Sequence, residues 1–174
     1  MRVWKIMAGE RSKFWKHFIN EGIAAMKANE EGDLEGYSNK KEFLKKTRNF
    51  SSANKNQLTR IGDDTWNFIY RVKQGDLLLL YKQGYISAIG YVTGEYTYNE
   101  TVFWKGKKFF HRRLATWKLL DTTRQKLPTH LRRTLSNLQG TLQELDEKED
   151  ILEVCHIASN ELFCQETKPS NMHV

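Results

Sequence analysis

Cations and rings alternate along residues 103–117. That pairing of residue types suits one kind of chemistry, the holding of a polyanion that carries flat bases. Residues 105–133 contain ten Lys and Arg (Lys105, Lys107, Lys108, Arg112, Arg113, Lys118, Arg124, Lys126, Arg132 and Arg133) against the single acid Asp121. A one-sign field repels itself, so globular surfaces normally mix their charges. Phe103, Trp104, Phe109 and Phe110 are interleaved with the first of these cations. Cations take phosphates, and a ring takes a base face at about 1–3 kcal/mol per stacked base. A solvated basic hairpin whose rings face the core would produce the same pattern, and both readings stay open on composition alone.

Reaction chemistry leaves no comparable signal. GxxxxGK[ST] is absent, which excludes P-loop hydrolysis of nucleoside triphosphates. Gly90 and Gly94 fall inside a strand pattern and make no phosphate cradle. His17, His111, His130, His156 and His173 are scattered, with none at metal-ligand spacing from another, and Cys155 and Cys164 lack any CxxC partner. Neighbouring arginines are expected to lower the pKa of His111 and make it a neutral hydrogen-bonding group. Asp63 and Asp64 suit a helix N-terminus better than a metal site. The chain is therefore expected to be a binding module without metal, cofactor or catalysis of its own.

The elements that must position this strip follow from periodicity. With 174 residues and a net charge of +7, the chain suits one domain over 1–158 and an acidic or frayed tail over 159–174. The charge is unevenly spread. Residues 38–60 hold seven Lys/Arg, Lys45 and Lys46 among them, against Glu42, whereas 140–174 hold eight Asp/Glu against Lys148 and Lys168. No apolar run reaches the roughly 20 residues of a membrane span, and the N-terminus does not read as a secretory signal. A cytoplasmic protein with reduced thiols is expected.

Residues 3–7 alternate as a first strand, 10–20 have the helical spacing of Phe14, Trp15, Phe18 and Ile19, and 23–26 form a second short strand. Residues 39–48 predict a cationic amphipathic helix resting on Phe43 and Leu44. Ser51 and Ser52 can cap another helix, and Asp63/Asp64 a helix over 65–73 with Trp66, Ile69, Tyr70 and Val72 buried. The apolar run 77–81 predicts a strand buried on both faces, followed by a turn at Gly84. Residues 86–98 predict a long strand bent at Gly90 and Gly94, and 112–120 the next. An irregular stretch over 127–135, a strand over 141–145 and a helix over 146–158 complete the chain. The class is α+β: a small curved or barrel-like mixed sheet with flanking helices.

The order of motifs resembles EVE-type domains of the PUA-like and YTH superfamily. Trp4-x-Ile6, Gly9-Glu10, Phe14-Trp15 and Gly32-Asp33-Leu34 open the series. Gly75-Asp76, Ile89-Gly90-x-Val92-x-Gly94-x-Tyr96-x-Tyr98, His111-Arg112-Arg113-x-x-x-Trp117 and Leu127-Pro128-x-x-Leu131-Arg132 complete it over residues 3–145. It is most similar to the N-terminal DNA-recognition module of McrB-like modification-dependent restriction systems. The resemblance implies a pocket for one modified base, flipped from duplex DNA at a few kcal/mol. Aromatic rings would favour a methylated base by about 0.8 kcal/mol per buried carbon.

The resemblance places Trp104 at one wall of that pocket and the backbone of Met7 and Ala8 along it. Many relatives carry a Gly-Trp pair just before the Gly-Asp-Leu turn, where this sequence has Met26-Lys27-Ala28. Either Trp15, Trp66 or Tyr37 then supplies the second wall beside Met26, or the pocket is wider, or it reads no methylated base. Lys105, Lys107, Lys108, His111, Arg112, Arg113, Lys45 and Lys46 are the expected phosphate contacts. The implied function is recognition of a modified base, in DNA rather than RNA, as the specificity module of a restriction complex with motor or nuclease subunits. A modified or single-stranded RNA-binding module, an RNA-acting enzyme subunit and a partner-binding module remain alternatives.

Overall fold

The computed structural model describes residues 1–9, 12–27, 32–48, 55–82, 85–100, 103–104, 107–123, 127–137 and 140–163. The expected cap at Ser51/Ser52 and turn at Gly84 lie outside these residues. Strand β1 (Val3–Ile6) leads to α1 (Trp15–Glu21), which ends at Gly22 in the left-handed region (φ 63°), where the backbone N–H returns to the carbonyl of Ile19. Strand β2 (Ile23–Met26), α2 (Lys40–Arg48) and α3 (Lys55–Trp66) follow, and α3 closes in a widened π turn over Asn67–Arg71. Then come β3 (Leu77–Lys82), β4 (Tyr85–Tyr98), the small hairpin β5 (Phe103–Trp104) and β6 (Lys107–Lys108), and β7 (His111–Thr123). Helix α4 (Thr129–Asn137), β8 (Leu142–Leu145) and α5 (Lys148–Phe163) finish the chain.

Six strands form one curled mixed sheet in the order β2-β7-β4-β3-β1-β8. β1 lies parallel to β3 (Val3↔Leu77 to Ile6↔Leu80) and antiparallel to β8, so everything from α1 to the π turn serves as the crossover between β1 and β3. The class is α+β with helices on a curved sheet, as the pattern of elements predicts.

Side-chain alternation builds two cores from the same strands. Trp4, Ile6, Leu78, Leu80, Ala88, Val92 and Tyr96 point to the inner face with Phe18, Phe43 and Phe68 of the helices. Val3, Leu77, Leu79, Ile86, Ile89 and Leu120 point to the outer face, covered by α4 and α5 through Leu131, Leu135 and Val154. The unbroken run Leu77–Leu80 is thus buried on both sides. Buried Asp76 ties the start of β1 to the turn before β3. It accepts from Arg2 N (2.7 Å), Trp4 Nε1 (3.0 Å) and Lys73 N (3.0 Å).

Three expectations need correction. Residues 129–137 are helix, because Pro128 can stand ahead of a first turn that needs no N–H from it. Asp64 caps nothing at a helix start. It lies inside α3, buried, and accepts from Thr141 N (2.6 Å) and Gln143 Nε2 (2.8 Å), tying α3 to the start of β8. The closing helix continues to Phe163, past residue 158.

Candidate nucleic-acid interface

The loop after β1 is shaped by two left-handed residues, Gly9 (φ 73°) and buried Ser12 (φ 54°). Ser12 Oγ donates to the Tyr81 carbonyl at 2.6 Å, which holds the turn against the end of β3. Gly9 allows a close approach, because a Cβ would sit 2.7 Å from Phe14 and 3.2 Å from Phe109. Phe109 packs edge-on to Phe14 (5.0 Å between centroids) and Phe18 (6.3 Å). Two residues later β7 begins at His111, which pairs with Met26 at the end of β2. The segment 109–111 therefore joins the loop after β1 to the end of β2.

Of the expected pocket residues, Met7 and Ala8 lie in the loop after β1 and Met26 at the end of β2, the two stretches that this segment joins. Met7 is half-buried, Ala8 and Met26 are buried, and the Met7 and Ala8 carbonyls already accept from Gly9 N and Phe14 N. Trp15 is half-buried nearby in sequence. Lys82 Nζ lies 5.3 Å and Lys16 Nζ 5.7 Å from its ring centroid. An indole flanked by two ammoniums can offer a ring to a base and charge to its phosphate. Trp66 sits apart from this junction in its contacts: Tyr70 stacks on it at 4.1 Å and Phe43 meets it edge-on at 5.3 Å, bracing α2 against α3. The side chain of Trp104 lies outside the described residues; its backbone is in β5, paired with Lys107 of β6.

The basic strip divides between two faces. Lys105 and the Lys107 side chain lie outside the described residues, Lys108 is half-buried with its Nζ 6.0 Å from the Phe110 ring, and Arg112 is half-buried. Arg113 is 1% exposed. Its Nε and Nη2 donate to the carbonyls of Phe68 (3.0 Å) and Ile69 (2.8 Å), and Nη1 lies 3.7 Å from Glu95. Those carbonyls end the α3 helix, where no further turn of helix supplies donors, so Arg113 caps a helix and holds no phosphate. Burial, opposed by Glu95, lowers its pKa.

His111 is likewise buried, which corrects its assignment as a phosphate contact. Its pKa is lowered to about 4, and the cause is burial, with Asp33 opposing, not the neighbouring arginines. Tyr96 donates its one hydroxyl proton to Asp33 Oδ1 (3.2 Å), so the 2.8 Å bond to His111 must use a proton on Nδ1. His111 Nε2 is then a bare acceptor, buried and without a partner. Tyr98, beside His111 on β4, is pushed up to about 12 by burial and its 2.9 Å bond to Glu100. Phe109 and Phe110 are also buried, Phe110 against Tyr98 at 5.8 Å, so neither ring offers a face to a base.

Lys45 and Lys46 are exposed on α2, while Lys40 of the same helix pairs with Asp63 at 2.8 Å. Sequence reasoning missed Lys16 and Lys82 around Trp15, and the Asp33–Tyr96–His111 relay. For the relay a signal existed: His111 and Arg113 share the parity of Ala115 and Trp117, the inner face of β7. Among the described residues no group of three or more His, Cys, Asp or Glu could hold a metal ion, and no helix is long and apolar enough to cross a membrane.

Fold and site together define a small α+β domain with a curled six-stranded sheet and a ring-and-cation surface beside its β1 end. The chain belongs to the family described as Domain of unknown function (DUF8426), whose profile matches residues 4–146. No curated protein matches the chain. Among solved structures it is similar to the YTH domain of the Zygosaccharomyces rouxii MRB1 protein, determined in complex with N6-methyladenosine RNA. The two are 13% identical with a TM-score of 0.48 over 92% of this chain and 86% of that one.

Proposed function

We propose that this chain is a nucleic-acid-binding domain that reads a modified base, a methylated one in the simplest case. The base is flipped from duplex DNA into a pocket at the ends of β1 and β2, and the domain serves as the specificity module of a restriction complex. The observation that carries the reading is Trp15, a half-buried indole with Lys16 and Lys82 within 6 Å of its ring. It opens α1, which follows the loop of Met7 and Ala8, where the resemblance to EVE-type domains puts the base. Phosphates are taken by the cations of the β5–β6 hairpin, by Arg112 and by Lys45 and Lys46 of α2, which position the polymer without specifying its sequence.

The reading is tested with matched duplexes that are unmodified, N6-methylated on adenine or 5-methylated on cytosine, and with the same sequences as RNA. One methylated form is expected to bind best, as DNA. Equal affinity for all of them would remove the reader and leave a nonspecific polyanion binder, and a preference confined to RNA would move the substrate to RNA. If the hairpin strip meets about four phosphates, log affinity should fall against log salt with a slope near −3 to −4 on duplex DNA.

A further inference from the structure

The sheet's outer face holds a second feature, remote in role from the base pocket. A cavity of about 350 Å³ lies between β3, β4 and β7 and the C-terminal half of α5. Leu77, Ile89 and Ala158 supply aliphatic walls, and the exposed residues Tyr91 and Thr116 stand at its rim. An apolar cleft open on one side and in the size range of small-molecule sites invites an occupant. Lys118 also lines it and is the one charged residue to do so among the described residues. Its Nζ is buried and, among the described residues, has no hydrogen-bond partner.

A buried ammonium without an acceptor is costly, and natural proteins pair such groups. The partner that would complete this one must bring a negative oxygen to Nζ and apolar bulk to the walls. A nucleobase fits poorly, because its polar edge atoms would face Leu77 and Ile89 unpaired. An aliphatic carboxylate satisfies both demands. We propose that this cavity binds a fatty carboxylate, with its head group on Lys118 Nζ and its chain between the sheet and α5.

Decanoate and decanol, below their aggregation limits, separate charge from chain in this site. Decanoate is expected to raise the melting temperature of the whole chain in a saturable way and to titrate to one site by calorimetry. Decanol should bind roughly 10- to 100-fold more weakly, the usual worth of one charge-assisted hydrogen bond. Lys118→Met, which removes the unpaired ammonium at nearly constant volume, should melt no lower than the native chain and bind the two ligands alike. No heat and no melting shift with decanoate, or equal binding of decanoate and decanol to the native chain, would overturn the proposal. Both readouts use no nucleic acid, so their failure is independent of the reader hypothesis.

Discussion

The two faces of strand β7 solve the burial of basic side chains in different ways. On the inner face His111 is neutral, held by Tyr96, and Arg113 is charged and ties two of its three nitrogens to the end of α3, with Nη1 left 3.7 Å from Glu95. On the outer face Arg112 is half-buried with its Nε unpartnered, and Lys118 reaches an apolar cavity with no acceptor. Neighbouring residues of one cationic run therefore do opposite jobs, because a strand turns successive side chains to opposite sides. The inner face ties its cation to the backbone of the fold; among the described residues Arg112 and Lys118 of the outer face show no such bond.

The adjacent arginines give the largest contrast. Arg113→Ala leaves two helix-end carbonyls buried without donors and opens a void, and should destabilise by about 3–5 kcal/mol. Arg112→Ala should stay within about 1 kcal/mol and weaken nucleic-acid binding. Denaturant unfolding of both variants checks this, and equal losses would break the two-face account.

His111 gives the next. Its folded pKa of about 4 lies below the ordinary 6.5, so the unfolded chain binds the extra proton between these values. Its contribution is present above pH 6.5 and is lost as the pH falls to 4, about 3 kcal/mol in all. Asp64 runs the other way. Burial raises it from 3.8 to about 6, so its contribution is present below pH 3.8 and lost as the pH rises through 6. The two slopes oppose each other between pH 4 and 6, so the informative quantity is the difference between native chain and His111→Phe. The native chain should lose about 3 kcal/mol relative to the variant between pH 7 and pH 4. A constant difference across that range would mean that His111 is not held neutral.

Two glycines of β4 sharpen the comparison further. A methyl at Gly90 meets the half-buried Trp117 ring at 2.6–2.9 Å, whereas one at Gly94 meets exposed Leu114 at 3.0–3.3 Å. Gly90→Ala should cost about 1–3 kcal/mol by overpacking, and Gly94→Ala less, about 1, because its contacts start at 3.0 Å and ask Leu114 to give by only a few tenths of an ångström. Thermal melting of the two variants reads the difference.

Much of this fold was legible from periodicity. The strand over 23–26 falls where its four apolar residues end, and Leu77–Leu80 is buried on both faces as its unbroken run demands. What sequence concealed was packing. Gly62 in front of Asp63/Asp64 looks like a break before a cap, yet α3 runs through it. A Cβ at Gly62 would lie 2.6 Å from Leu44, so this glycine lets α2 and α3 approach. In the candidate site, charge composition counted His111 and Arg113 as surface because it ignores which way a strand residue points. The partners of Trp15 come from α1 and from the end of β3, and no local pattern announces a contact across 67 positions of chain, from Trp15 to Lys82.

Trp15 puts the central claim to its most direct test, with melting temperature and methylated-versus-unmodified affinity measured on one variant. If the domain reads a base against this ring, Trp15→Ala should lose about 1–3 kcal/mol of preference for the methylated duplex and keep its salt slope. A Trp15→Ala protein that folds and still discriminates would contradict the account.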